Sequence, residues 1–382
     1  MNIPLFKTYS DEKDKEYIKK VIERGMFWAI GPEVEEFEKK VADYIGVKYA
    51  LAFNSGTSAL HTLLLAHNVK GKEVIVPSFT FIATANAVVL AEGIPVFVES
   101  ESETLGIDIN SVRDKINENT KAIIALHYGG FVQKDIEDLR KLADEKNILL
   151  IEDAAESMGA HINNKKAGSF GDSAILSFCQ NKIISTGEGG MLLTNSEEIY
   201  EKSKLIRSHG RLELNENYFS STQDNDYLKV GYNYRLSTIL SSLGLAQFEK
   251  IDFLINKRRE IAQRYNQAFD NISKITTLKE REGHFYVYQM YSIILDNNET
   301  RDKLQKYLKE KGVMTKVYFN PVHLKSIYKK EFGCNENDLP KTEEISKTIL
   351  TLPMYPDLII EEQNYIIACI KDYFGENNER NV

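Results

Sequence analysis

Seven short apolar runs punctuate the chain between residues 49 and 194: YALAF (49–53), VIVP (74–77), PVFV (95–98), AIIAL (122–126), ILLIE (148–152), AILSF (174–178) and MLLT (191–194). Runs this short and this uniformly apolar are strands covered on both faces. Between most of them lie stretches of helical periodicity, for instance 57–68, 81–92 and 134–146. That alternation constrains the fold more than any other feature, because it predicts a mainly parallel sheet between layers of helix. The gap after AILSF is too short for a helix, so the last two strands are expected to join through a turn and run antiparallel. Upstream, GPEVEEFEKKVADYI (31–45) places Pro32 where a helix can begin and sets Val34, Phe37, Val41 and Tyr44 on one face.

After about residue 235 the pattern changes. Residues 236–269 read as largely helical, with Leu243, Leu245, Phe248, Ile251 and Leu254 followed by a charged KRRE. An aromatic segment, HFYVYQMYSIIL (284–295), precedes a helix over 299–311, a strand-like VMTKVYF (313–319) and helices near 341–349 and 360–374. This predicts a large α/β domain over 1–245 and a smaller α+β domain over 246–382. No Pro/Gly/Ser-rich linker separates them, so close packing is expected.

Composition removes several classes of function. The chain is 382 residues long, 42% hydrophobic and 27% charged, as in ordinary globular proteins. Its net charge of -8, with Lys and Glu interleaved, weighs against nucleic acid as a partner. Cys179, Cys334 and Cys369 share no close spacing, so neither a disulfide framework nor a metal site is expected. The start, MNIPLFKTYSDEKDKEY, lacks the order of a signal peptide. No apolar run reaches the roughly 18 residues of a membrane helix. A cytoplasmic protein without membrane contact is expected.

Ligands of open parallel sheets collect at the C-terminal ends of the strands, so the residues after each run carry the functional question. After YALAF comes NSGTSAL (54–60), whose small residues let N–H groups and hydroxyls approach a phosphate at a helix N-terminus. A plain helix cap by Ser55 or Thr57 explains the same residues. After ILLIE, Asp153 stands in IEDAAESMGA (151–160), where it either meets a protonated ring nitrogen or caps a helix. Then SFCQNKIISTGEGGM (177–191) sets Lys182 just past a strand end. A lysine in apolar, Gly-rich surroundings can act as a free amine and form an imine with a carbonyl; an isolated lysine is ordinarily a surface charge. Its glycines follow it, the reverse of a nucleotide-binding P-loop. Taken together, a phosphate cradle, an aspartate and a lysine on one sheet suit pyridoxal 5′-phosphate, giving its phosphate, ring nitrogen and aldehyde one partner each.

The motifs NSGTSAL, VPSFTFIATANAV, IEDAAESMGA, SFCQNKIISTGEGGM, VGYNYRLSTILSSLGLAQFEKID, TKVYFNPVHL and LPMYPDL resemble, in this order, those of the DegT-type nucleotide-sugar aminotransferases. The resemblance runs from about residue 3 to residue 375. It implies the type I fold of pyridoxal-phosphate enzymes, a mainly parallel seven-stranded sheet between helices with a smaller C-terminal α+β domain. It implies that Lys182 carries the cofactor and shuttles a proton, and that Asp153 pairs with the ring nitrogen. Gly56, Thr57 and Ser177 would hold the phosphate, and Phe81 would stack on the ring. Asn233, in GYNYR, matches an asparagine that reaches the phosphate of a neighbouring subunit, which implies a homodimer with shared sites.

One position departs from the commonest pattern. The third residue after the aspartate is often Gln or His, hydrogen-bonded to the cofactor's phenolic oxygen, and here it is Glu156. Two anions would repel, so Glu156 is expected to hold a proton or to turn aside. The implied reaction moves an amino group from glutamate or glutamine to a keto group of a nucleotide-linked deoxysugar. QNKIISTGEGGM resembles relatives that aminate a 4-keto sugar rather than C3, which favours C4 of a 4-keto-6-deoxyhexose. Tyr318 and His323 are candidates for the sugar or nucleotide site, though a strand tyrosine and a turn histidine explain them equally. Arg235 either meets an anionic group or forms a structural salt bridge. A sugar dehydratase of the same fold has histidine in place of the lysine, so Lys182 argues against it. A catalytically silent regulatory protein would lack the lysine, the aspartate or the cradle, and all three are present.

Overall fold

The computed structural model describes residues 1–211 and 226–375. Its main sheet contains β1 (Tyr49–Phe53), β2 (Glu73–Pro77), β3 (Ile94–Val98), β4 (Thr120–Leu126), β5 (Leu149–Asp153), β6 (Ser173–Ser177) and β7 (Gly190–Thr194), in the order β1-β7-β6-β5-β4-β2-β3. β7 runs antiparallel to both of its neighbours, while the remaining pairings are parallel. The seven apolar runs are these seven strands, within two residues at each end.

Successive strand residues enter opposite layers, as the two-residue period requires. Ala50 and Ala52 join one core with Phe37, Val41 and Ile45 of a helix spanning Pro32–Ile45. Leu51 and Phe53 join another with Leu60, Leu63 and Leu64 of the helix α1 (Gly56–Ala66). Burial on both faces explains why these runs are continuously apolar rather than alternating.

A long helix, α2 (Ile251–Phe269), belongs to two cores. Leu254 and Ile255 pack beneath the main sheet, whereas Ile261, Tyr265 and Phe269 join a second core beside the antiparallel sheet β8 (Ile275–Thr277), β9 (Tyr291–Leu295) and β10 (Ile349–Leu352). Ile3 is buried in that second core, bridged to Val313, so the first residues of the chain pack with its last third.

One local prediction fails, and one aromatic segment acquires a structure the sequence did not specify. VMTKVYF makes only isolated bridges, Ile3↔Val313 and Lys316↔Thr351, instead of a strand. HFYVYQMYSIIL divides in two: His284–Phe285 pairs with His161–Ile162, and β9 starts only at Tyr291. Between them Tyr288 takes φ 48°, a left-handed conformation that ends any continuous strand. Among the described residues, no helix is long and apolar enough to cross a membrane.

Candidate active site

Because β7 is antiparallel, its first residue lies at the same sheet edge as the ends of the parallel strands. Gly190 stands opposite both Phe53, which ends β1, and Ser177, which ends β6. A Cβ on Gly190 would lie 2.5 Å from Gly56 N and from the Ser55 carbonyl, and one on Gly56 would lie 3.1 Å from Ser177 Cβ. The glycines thus let the first turn of α1 press onto the sheet edge beside Ser177. The side-chain-poor turn makes room for backbone.

Ser55 caps α1 through a capping box: its Oγ accepts from Ser58 N at 3.0 Å, and Ser58 Oγ accepts from Ser55 N at 3.2 Å. Gly56 and Thr57, in the first turn, have no intrahelical acceptor for their N–H groups. Capping and anion binding therefore use different donors of one turn, and the two readings of NSGTSAL are compatible.

Asp153, at the end of β5, is buried. Burial pushes its carboxyl above the ordinary range, opposed by the Thr84 hydroxyl and the Ala155 N–H. Thr84 Oγ1 donates to Oδ2 at 2.8 Å and Ala155 N to Oδ1 at 3.2 Å, while Thr80 and Thr84 share a hydroxyl contact at 3.0 Å. Lys182 sits in a tight loop after β6, its N–H donating to Cys179 O at 2.9 Å, with Ile183 and Ile184 buried behind it. Its Nζ lies 3.2 Å from Glu156 Oε1, and Glu156 Oε2 accepts from Gly129 N at 3.0 Å. In the cofactor-free chain both Glu156 oxygens are thus engaged, one by the Lys182 side chain and one by the Gly129 N–H.

These groups share one cavity of about 460 Å³, lined by Gly56, Thr57, Phe81, Asp153, Glu156, Ser177, Lys182 and Tyr318 among others. Phe81 lines this cavity with 61% of its surface open.

Three candidates lie elsewhere. His323 is buried, with Nδ1 2.6 Å from Ser78 Oγ and Nε2 3.3 Å from Glu343 Oε1. Both ring nitrogens are engaged by these partners, and His323 is not among the residues lining the cavity. Arg235 is half-buried and donates to Ser208 Oγ at 3.0 Å. Asn233 is exposed, and its carbonyl accepts from Asn54 Nδ2 at 3.4 Å.

The sequence reading missed Thr80, Thr84 and Lys316, which also line the cavity. The threonines had a signal, since they are polar residues at helical spacing in an apolar stretch. Lys316, whose Nζ lies 4.6 Å from the centre of the Tyr318 ring, had none that separates it from a surface lysine.

A family model described as the DegT/DnrJ/EryC1/StrS aminotransferase family matches residues 8–371. The chain belongs to this family. This aminotransferase is 35% identical over 376 residues to the GDP-perosamine synthase of Vibrio cholerae, covering 98% of this chain and 99% of that one. Among solved structures it resembles Helicobacter pylori PseC, an aminotransferase involved in the biosynthesis of pseudoaminic acid. That match has TM-score 0.90 and 29% identity, over 98% and 100% of the two chains. It also resembles the PLP-form of the putative sugar aminotransferase Spr1654 from Streptococcus pneumoniae, with TM-score 0.91 and 25% identity over 98% and 99%.

The aminotransferase is a pyridoxal-phosphate enzyme of α/β fold, and the residues present suit that cofactor. The first turn of α1 and Ser177, brought together by glycine, form a cradle that a Cβ would fill. A buried carboxylate whose charged form is disfavoured by desolvation has a use for a cationic ring nitrogen.

Proposed function

We propose that this aminotransferase moves an amino group from glutamate, or glutamine, to the C4 keto group of a nucleotide-linked 4-keto-6-deoxyhexose in the cytoplasm, for surface polysaccharide or glycan biosynthesis. The observation that carries this reading is the convergence of Lys182, Asp153 and the first turn of α1 in one cavity. The nucleotide-sugar part draws support from the likeness to GDP-perosamine synthase, and C4 from the run QNKIISTGEGGM.

In this reading, bound pyridoxal phosphate supplies an electron sink that lets a proton leave the carbon bearing the nitrogen. Lys182 would carry the cofactor and, once released, would move that proton through Nζ. Asp153 would accept a hydrogen bond from the ring nitrogen and keep it charged. Gly56 and Thr57 N–H groups and the Ser177 hydroxyl hold the phosphate, and Phe81 covers one ring face. Glu156 would hold a proton where it meets the cofactor's phenolic oxygen. Asn233, exposed on its own chain and outside its own cavity, completes the phosphate site of a partner subunit in a homodimer. Tyr318 and Lys316 border the sugar, with the Lys316 ammonium meeting an anionic group of the substrate; Arg235 acts at the subunit interface.

The test is a panel of UDP-, dTDP- and GDP-linked 4-keto-6-deoxyhexoses offered with glutamate or glutamine, the amine located by NMR. An amine at C4 is expected. Amination at C3, or loss of a hydroxyl without amination, overturns the reading.

A further inference from the structure

The loop Val287–Met290 bonds to backbone on both sides of the Lys182–Glu156 pair. On one side, Val287 N donates to Gly130 O at 3.0 Å and Met290 N to Gly129 O at 3.2 Å. Gly129 in turn donates its N–H to Glu156. The approach is close enough to need glycine, since a Cβ on Gly130 (φ 102°) would lie 2.6 Å from Gln289 N and 2.7 Å from Tyr288 N. On the other side, the Gln289 side-chain amide donates to the carbonyl of Asn181, the residue before Lys182.

Arg258 of α2 holds this loop from behind. It is 3% exposed, and its Nη1 donates to the carbonyls of Gln289 at 3.1 Å, Met354 at 3.4 Å and Tyr288 at 3.5 Å. Its partners are carbonyls of two separate loops, an arrangement that pins backbone rather than balancing a charge. Gln289 is itself 3% exposed, and its Oε1 has no partner among the described residues. A half-satisfied amide in a dry site is costly, and an apolar side chain would avoid that cost unless the donation to Asn181 has a use.

We propose that Gln289 is a positioning residue for Lys182, and that Arg258, by pinning the Gln289 backbone, lets the C-terminal part of the chain set where the Lys182 amine stands relative to Glu156. This rests on the reading of Lys182 as the residue that carries the cofactor. Both contacts come from one loop, so they move together. Removing the Gln289 amide frees the Lys182 side and leaves Glu156 held by Gly129.

The experiment uses the cofactor-free full chain and pyridoxal phosphate itself. It follows the rate of loading, the induced circular dichroism of the bound cofactor and the fraction fixed by borohydride. Gln289→Leu is expected to load about fivefold more slowly, the factor of one net hydrogen bond, with a weakened dichroic band and an unchanged melting temperature. In Gln289→Glu an ionised carboxylate cannot donate to Asn181 O, but a protonated one can, so its loading rate relative to wild type is expected to recover on acidification. A purely structural penalty of the buried charge recovers too, but together with the melting temperature, which is therefore followed at each pH. Arg258→Met is expected to slow loading in the wild-type background and to add less than its own effect to Gln289→Leu. Wild-type loading and dichroism in Gln289→Leu, or a Gln289→Glu whose loading merely follows its melting temperature at every pH, overturns the proposal. Borohydride-fixed cofactor in Lys182→Ala would instead sink the reading of Lys182, so the two failures are distinguishable.

Discussion

Asp153→Asn should make the cofactor-free protein more stable while removing its capacity to hold cofactor. The substitution keeps every hydrogen bond at the site. Asn Oδ1 retains the Ala155 N–H at 3.2 Å, and Asn Nδ2 donates to Thr84 Oγ1 across 2.8 Å, whose own proton turns to Thr80 at 3.0 Å. Only the charge is lost. Burial raises the carboxyl pKa in the folded chain above its unfolded value, so the folded chain holds a proton that the unfolded chain has released between those two values. Wild-type stability therefore falls as pH rises through that window; the penalty is absent below the unfolded pKa and fully present above the folded one. The asparagine variant lacks this term. A buried charged group without its full partner costs about 1–3 kcal/mol, so at pH 8 the variant should melt roughly 2–6 °C higher, with the difference closing near pH 4. Adding pyridoxal phosphate reverses the order, because ligand at a hundred times its Kd stabilises the wild type by about 2.7 kcal/mol and the variant by much less. Melting curves at both pH values, with and without cofactor, decide the matter. A variant less stable than wild type at pH 8 without cofactor, or a pH-independent difference, would refute desolvation of Asp153 as the origin of its shifted carboxyl.

Three further outcomes are expected. Lys182→Ala and Asn233→Ala should each be inactive alone, and their mixture should regain up to about a quarter of wild-type activity if Asn233 completes a partner's site; no recovery in proven hybrid dimers counts against sharing. Gly190→Ala should push the first turn of α1 off the sheet edge, because its Cβ would stand 2.5 Å from Gly56 N, costing about 1–3 kcal/mol and weakening cofactor affinity at least tenfold by fluorescence titration. Glu152→Gln should lower stability by about 2–6 kcal/mol in urea unfolding. Its carboxylate, fully buried, accepts from His127 Nε2 at 2.8 Å and from the N–H groups of Gly168, Phe170 and Gly171 at 2.7, 2.6 and 2.6 Å, and an amide turns one oxygen's two donors into clashes.

The sheet was legible because burial on both faces leaves an unbroken apolar run that needs no phase to recognise. Leu51 and Ala52 face opposite cores, yet both are apolar. VMTKVYF misled for the same reason in reverse: Val313 and Phe319 are buried in the second core, but by packing against it piecemeal rather than by pairing along a ladder. At the site, the order of motifs placed residues at strand ends, and the parallel sheet brought those ends together. Pairings between side chains were not legible, because nothing local links Asp153 to Thr84, 69 residues away, or Lys182 to Glu156, 26 away.

Arg258 shows where more was available. Within the charged KRRE it reads as one of several solvated residues, yet it is buried. Leu254, Ile255, Arg258, Ile261, Ala262 and Tyr265 follow the spacing of three and four that marks one face of a helix, and all six are buried in α2. Composition assigned Arg258 to water, whereas helical phase assigns it to the core. A cation at a core phase has to find acceptors there, and the acceptors it finds are the carbonyls of the loop that reaches the lysine.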